Sequence, residues 1–115
     1  VGAGDKHSKD LYTSVEEKMK KYSFVKVVKG LLPSSFSDKI PEKISFVHLD
    51  LNSAETEIEL LNLFFDSLVP GGIIILDDYA TMYYENQHIS EKSFFKNLGY
   101  KVVELPSGQG MVIKR

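Results

Sequence analysis

The sequence predicts an α/β domain built on a mostly parallel sheet that ends in an antiparallel hairpin. Three observations carry this expectation. Segments of strand character alternate with segments of helical spacing, which is the pattern of an α/β sheet. Ile73-Ile74-Ile75-Leu76 is apolar without interruption, as a central parallel strand covered on both faces requires. Residues 100–105 and 110–114 are both strand-like and are separated only by the turn Pro106-Ser107-Gly108-Gln109.

Each element follows from local pattern. Residues 1–12 are polar and contain glycine, so they are expected to be poorly ordered. Helical spacing begins at Ser14, which forms a capping box with Glu17. Glu16 and Glu17 stand at the start of this helix and Lys18, Lys20 and Lys21 at its end near Tyr22, as the helix dipole favours. Residues 24–29, Phe-Val-Lys-Val-Val-Lys, predict a strand closed by Gly30. Residues 31–43 hold two prolines and several serines and read as a loop with one turn of helix at most.

Residues 44–51 read as a mostly buried strand. Asn52 or Ser53 then caps a helix, with Glu55 three positions after Asn52. Ile58, Leu61, Phe65 and Leu68 keep helical spacing to about Val69, and Leu60 and Phe64 widen the stripe. Pro70-Gly71-Gly72 stops that helix. The apolar strand at 73–76 ends in Asp77-Asp78-Tyr79. Residues 80–89 form a mixed loop with Tyr83, Tyr84 and His88. Ser90 caps a helix through Leu98 that turns Phe94, Phe95 and Leu98 inward, and Gly99 is placed to close it.

Composition bounds the function. At 115 residues the chain is one small domain, residues 1–115, with an ordinary 43% of apolar and 26% of charged residues. A net charge of −2 gives no basic face for a nucleic-acid partner. The lysines between 18 and 29 alternate with glutamate and apolar residues and read as a solvated face. With no cysteine, disulfides, thiolate chemistry and zinc–cysteine sites are excluded, and a cytoplasmic location fits. No apolar run approaches the ~20 residues of a membrane helix, so no membrane partner is expected. The first residues carry no signal-peptide apolar region.

The candidate chemistry lies in three carboxylates. Asp50 stands at the C-terminal end of one predicted strand, and Asp77 and Asp78 at the end of the next. In open α/β sheets ligands bind beyond the carboxyl ends of the strands. Neighbouring strand tips lie roughly 5 Å apart, so the three groups would repel unless a proton or a cation intervened. A hard divalent ion with oxygen ligands, Mg²⁺ first, resolves that repulsion and can hold a hydroxyl and lower its pKa. The plainer alternative is that each aspartate caps a turn or the following helix. Asp77 and Asp78 converge only if the strand ends there, because successive strand residues face opposite ways.

His48, two before Asp50, falls on the same side and reads either as a general base or as a hydrogen-bonded core histidine. Tyr79, Tyr83 and Tyr84 read either as the lining of an acceptor pocket or as packing under a loop. Gly108-Gln109-Gly110 has no helix after it to cradle a phosphate and reads as a hairpin turn.

These residues resemble a known family. From Ile44 the chain reads Ile-Ser-Phe-Val-His-Leu-Asp-Leu-Asn-Ser-Ala-Glu-Thr-Glu, then an apolar helix, then Leu-Val-Pro-Gly-Gly-Ile-Ile-Ile-Leu-Asp-Asp-Tyr to Tyr79. This is similar to the second half of macrocin O-methyltransferase-type enzymes, class I methyltransferases that act on sugar or related hydroxyls. Leu105-Pro106-Ser107-Gly108-Gln109-Gly110 and Val28-Lys29-Gly30 fit the same group, and the resemblance covers residues 10–115. It implies a partial Rossmann-like class I methyltransferase sheet. Residues 24–29 would be strand three, 44–51 strand four, 72–77 strand five, and the hairpin strands six and seven, in the sheet order three-two-one-four-five-seven-six.

The resemblance also implies roles. Asp50, Asp77 and Asp78 would hold a divalent metal, and Asp50 would also act as base, with His48, from its place on the strand, as the other candidate. The parent protein would transfer a methyl group from S-adenosylmethionine to a small-molecule hydroxyl acceptor. Relatives often carry an aspartate where this chain has Asn52, which lowers the charge of the set. Nothing before Ser14 supplies the Gly-rich cofactor loop, so the resemblance implies a C-terminal half that is inactive alone. Strand four would then be an exposed edge, and a homo-oligomer paired through it is expected. The competing reading is a non-catalytic α/β module that binds an ion or a partner.

Overall fold

The sheet grows from the two segments of strongest strand character. In the computed structural model, which describes residues 2–51, 53–80 and 85–115, β1 (Ile44–Leu49) pairs in parallel with β2 (Leu68–Leu76). A right-handed chain can make that parallel return only through a crossover. The crossover is α2 (Ala54–Phe64), which follows the first helix, α1 (Gly2–Met19). Ser53 caps α2, its hydroxyl accepting from the Thr56 amide at 3.3 Å. α3 (Glu85–Asn97), β3 (Val103–Glu104) and β4 (Gly110–Ile113) complete the order. The sheet is four-stranded and mixed, in the order β1-β2-β4-β3, with β4 antiparallel to both of its neighbours. The fold class is therefore α/β, as alternation predicts, but the expected mostly parallel sheet is not found: among the described strands only β1 and β2 pair in parallel, because β4 enters between β2 and β3 and runs antiparallel to both.

The chain divides into two compact units, Val1–Phe36 and Ser37–Arg115. The first holds α1, which begins at Gly2 and so includes most of the stretch expected to be poorly ordered. Residues 5–13 contain no proline or glycine, so nothing stops i to i−4 hydrogen bonding from continuing ahead of Ser14. Residues 24–29, expected as a strand, form none. β-branched composition favours extended backbone, but a strand exists only where a ladder partner accepts its hydrogen bonds, and the segment has no such partner among the described residues.

The second unit holds the sheet and the core. On one sheet face Leu49, Ile74, Leu76 and Val112 are buried. Ile74 pairs with Val112 and Leu49 with Leu76, so these side chains form one apolar layer. The stripes of α2 and α3 supply Leu60, Leu61, Phe64 and Phe95, and the two helices touch each other. Phe65, Phe94, Phe95 and Tyr100 form edge-to-face contacts with ring centroids 5.1 to 6.4 Å apart. α3 ends as Gly99 anticipates. Gly99 has φ +84, its amide donates to Lys96 O, and the Tyr100 amide donates to Phe95 O, which is a Schellman closure.

Pro70-Gly71-Gly72 behaves differently from expectation. α2 ends earlier, at Phe64, and passes through one 3-10 turn (Phe65–Ser67). The Pro-Gly-Gly segment then lies inside β2, where the register slips: Ile44 faces Leu68 but Phe46 faces Ile73. Gly71, at φ +83, supplies the left-handed residue such an irregularity needs. Its amide donates to Lys114 O at 2.6 Å and the Lys114 amide donates to Gly72 O at 2.9 Å, so the backbone stays satisfied. The Lys114 ammonium also donates to Phe65 O at 2.7 Å, a cation at the carbonyl end of the α2 segment.

Candidate functional site

Parallel register assembles the site. His48 faces Ile75 and Leu49 faces Leu76, so one more step places Asp50 opposite Asp77. The Asp77 amide donates to Leu49 O at 3.0 Å and holds that step in place. Residues two apart share a sheet face. His48 and Asp50 therefore lie on the same face as Ile75 and Asp77, opposite the apolar layer. β2 ends at Leu76, and residues 77–80 turn. The turn frees Asp78 from the alternation that would send it to the other face. Ligand oxygens of Asp50, Asp77 and Asp78 all lie within 4.8 Å of one another, with Asp50 exposed and the other two half-buried.

His48 is not a core residue. Among the described residues β1 is an edge strand whose outward side chains are open, Phe46 at 58% exposure among them, so the expectation of a mostly buried strand fails there. The His48 Nε2 lies 3.1 Å from Asp77 Oδ1. The same oxygen accepts from Gln109 Nε2 at 3.0 Å. Gln109 stands on the β3–β4 turn, and the Ala80 amide donates to Gly108 O at 2.8 Å, so hairpin tip and acidic turn are tied twice. Spacing gives no sign of Gln109, because the contact spans 32 positions.

The electrostatics separate the two adjacent aspartates. Hydrogen bonds from Gln109 first and His48 second hold the Asp77 carboxyl below the usual carboxylate range. Burial first, and then the charges of Asp77 and Asp50, push the Asp78 carboxyl up. Three clustered carboxylates with one driven toward its protonated form are a donor set short of a positive charge, which fits a hard divalent cation.

Tyr79 belongs to the packing, not to an open pocket. It is buried, its ring centroid lies 4.5 Å from that of His88, and its backbone carbonyl is 3.1 Å from His88 Nδ1. A Cβ at Gly110 would stand 2.7 Å from Tyr79 Cγ, so only glycine lets β4 run this close behind the acidic turn. Asn52, Tyr83 and Tyr84 lie outside the described residues.

Two acidic residues escape the sequence reading. Glu57 and Glu91 are 2% and 0% exposed. Glu57 Oε2 accepts from the Leu51 amide at 2.9 Å. Both Glu91 carboxyl oxygens are buried without a hydrogen-bond partner among the described residues. Burial pushes the Glu91 carboxyl up to about 9, and neighbouring Glu57 adds to the shift. One signal marks both: each heads an apolar helical stripe, Glu57 with Leu60, Leu61 and Phe64, and Glu91 with Phe94, Phe95 and Leu98.

Glu91 makes stability pH-dependent. Unfolded, it loses its proton near the ordinary 4.5; folded, it keeps it to about 9. In that window the native state binds more protons, so this group's contribution falls as pH rises. Glu91→Gln cannot titrate. The urea midpoint is expected to fall less between about pH 5 and about pH 8 in the variant than in the parent. Equal slopes would contradict this assignment.

A family model described as Macrocin-O-methyltransferase (TylF) matches residues 9–99. No curated protein matches the chain.

Proposed function

We propose a function from one premise: the chain belongs to the macrocin-O-methyltransferase family. Membership makes it a methyltransferase relative and implies S-adenosylmethionine in general as the methyl donor. Our reading is that these residues provide the metal- and acceptor-holding side of O-methyl transfer to a small-molecule hydroxyl. The observation that carries it is the convergence of Asp50, Asp77 and Asp78 at the ends of two adjacent parallel strands.

Asp50, Asp77 and Asp78 would hold Mg²⁺ or a similar cation, which when bound supplies a positive charge that orients a hydroxyl and lowers its pKa. Asp77 keeps its charge because Gln109 and His48 support it. Asp50, the exposed member, or His48, on the same open face, would take the hydroxyl proton as the oxygen displaces the methyl carbon from the donor's sulfonium sulfur, which leaves as a neutral thioether. The acidic rim fixes the acceptor relative to the donor, which is the larger part of such a displacement. The sheet order β1-β2-β4-β3 supports reading these strands as four, five, seven and six of a Rossmann-like methyltransferase sheet. Calorimetric titration with Mg²⁺ tests the reading: saturable binding that Asp50→Asn weakens supports it, and no heat at millimolar cation overturns it.

The outer edge of β1 has no ladder partner among the described residues. Open edges recruit strands, and a second copy of the chain is the partner we propose. Sedimentation coefficients are expected to rise with protein concentration, with Phe46→Lys suppressing the rise. A concentration-independent monomer would refute the pairing.

A further inference from the structure

The buried acids beneath the site have no part in methyl transfer as read above, and burying two carboxylates side by side costs stability. Well-packed apolar side chains at both positions would serve the helix contact as well or better. What Glu57 provides that leucine does not is an acceptor for the Leu51 amide. We propose that Glu57 is a positioning residue for the acidic site, its carboxylate setting the direction in which the chain leaves β1 and hence the placement of Asp50. This inference rests on the metal-site reading of the preceding subsection.

The geometry is direct. The peptide unit joining Asp50 to Leu51 is planar. Holding its N–H at 2.9 Å from Glu57 Oε2 fixes that plane, and with it ψ of Asp50. β1 ends at Leu49, so residue 51 lies beyond the strand, at a point where the Glu57 side chain helps hold the chain. Glu57 lies in the first turns of α2, where the helix dipole favours an anion. Its own amide is bonded to Ser53 O at 3.1 Å, so the acceptor stands on a rigid element rather than on the loop it holds. Glu91, fully buried on α3, lies beside Glu57 where the two helices meet.

The test uses the full chain with Glu57→Leu and Glu57→Gln. Amide hydrogen exchange is followed at Leu51 and at Ile74 as a core control, and Mg²⁺ affinity is measured by calorimetry. Glu57→Leu is expected to fold with unchanged Ile74 protection, to exchange Leu51 about 10-fold faster or more, and to bind Mg²⁺ about 10- to 100-fold more weakly. Glu57→Gln retains an acceptor oxygen and is expected to restore Leu51 protection and most of the affinity. A Glu57→Leu protein with parental Leu51 exchange overturns the inference, as does an unprotected Leu51 amide in the parent, a measurement that needs no variant. If the parent binds no Mg²⁺, the metal reading fails, and the positioning role then stands or falls on Leu51 exchange alone.

Discussion

Asp77→Ala is expected to lower divalent-cation affinity by about 100-fold or more, since loss of even an outer partner of a ligand commonly costs 10- to 100-fold. Asp77 is the member of the set whose charge is best supported, by Gln109 at 3.0 Å and His48 at 3.1 Å. Its removal also changes its neighbour. The Asp77 charge is one of the causes that push Asp78 up, so without it Asp78 relaxes toward the usual carboxylate range. The two effects are coupled, and Asp77→Ala combined with Asp78→Ala is expected to cost less than the sum of the single losses. Calorimetric titration of the single and double variants with Mg²⁺ measures this. Additive losses would mean that the two carboxylates act independently.

Phe95→Ala is expected to destabilise the fold by about 3–5 kcal/mol. The ring is 0% exposed and meets Phe65 and Phe94 edge to face at centroid distances of 6.1 and 5.1 Å. Truncation removes apolar burial, leaves a cavity between α3 and the end of α2, and deletes two aromatic pairs. Because a domain of this size holds about 5–15 kcal/mol in total, the urea midpoint should drop by a large fraction. Phe94→Ala, at a half-buried position on the same turn, is expected to cost distinctly less. Equal midpoints for the two variants would contradict the packing described.

The parts of this structure legible in the sequence are those fixed by local pattern. Ser53 and Gly99 carry their own hydrogen-bonding logic, and the hairpin follows from turn residues between two strand-like runs. Asp50 and Asp77 are legible because strand ends in α/β sheets are where ligands meet, and a one-residue step in register brings them opposite. Residues 24–29 show the limit, since strand composition without a ladder partner makes no strand. Pro70-Gly71-Gly72 shows another: the same residues that end a helix can sit within a strand when a neighbour, here the backbone of Lys114, takes their hydrogen bonds. Glu57 was readable only as an acid out of place on an apolar stripe. Gln109 was not readable at all, because its role depends on a contact 32 residues away.

The place of β4 between β2 and β3 has a consequence for when the acidic rim becomes competent. Chains fold from the N-terminal side as they leave the ribosome. The three aspartates have all been synthesised by residue 78, yet the side chain that steadies Asp77 comes from residue 109, and β2 gains its second neighbour only with residues 110–113. A nascent chain therefore displays its three carboxylates before the residues that order them have been made.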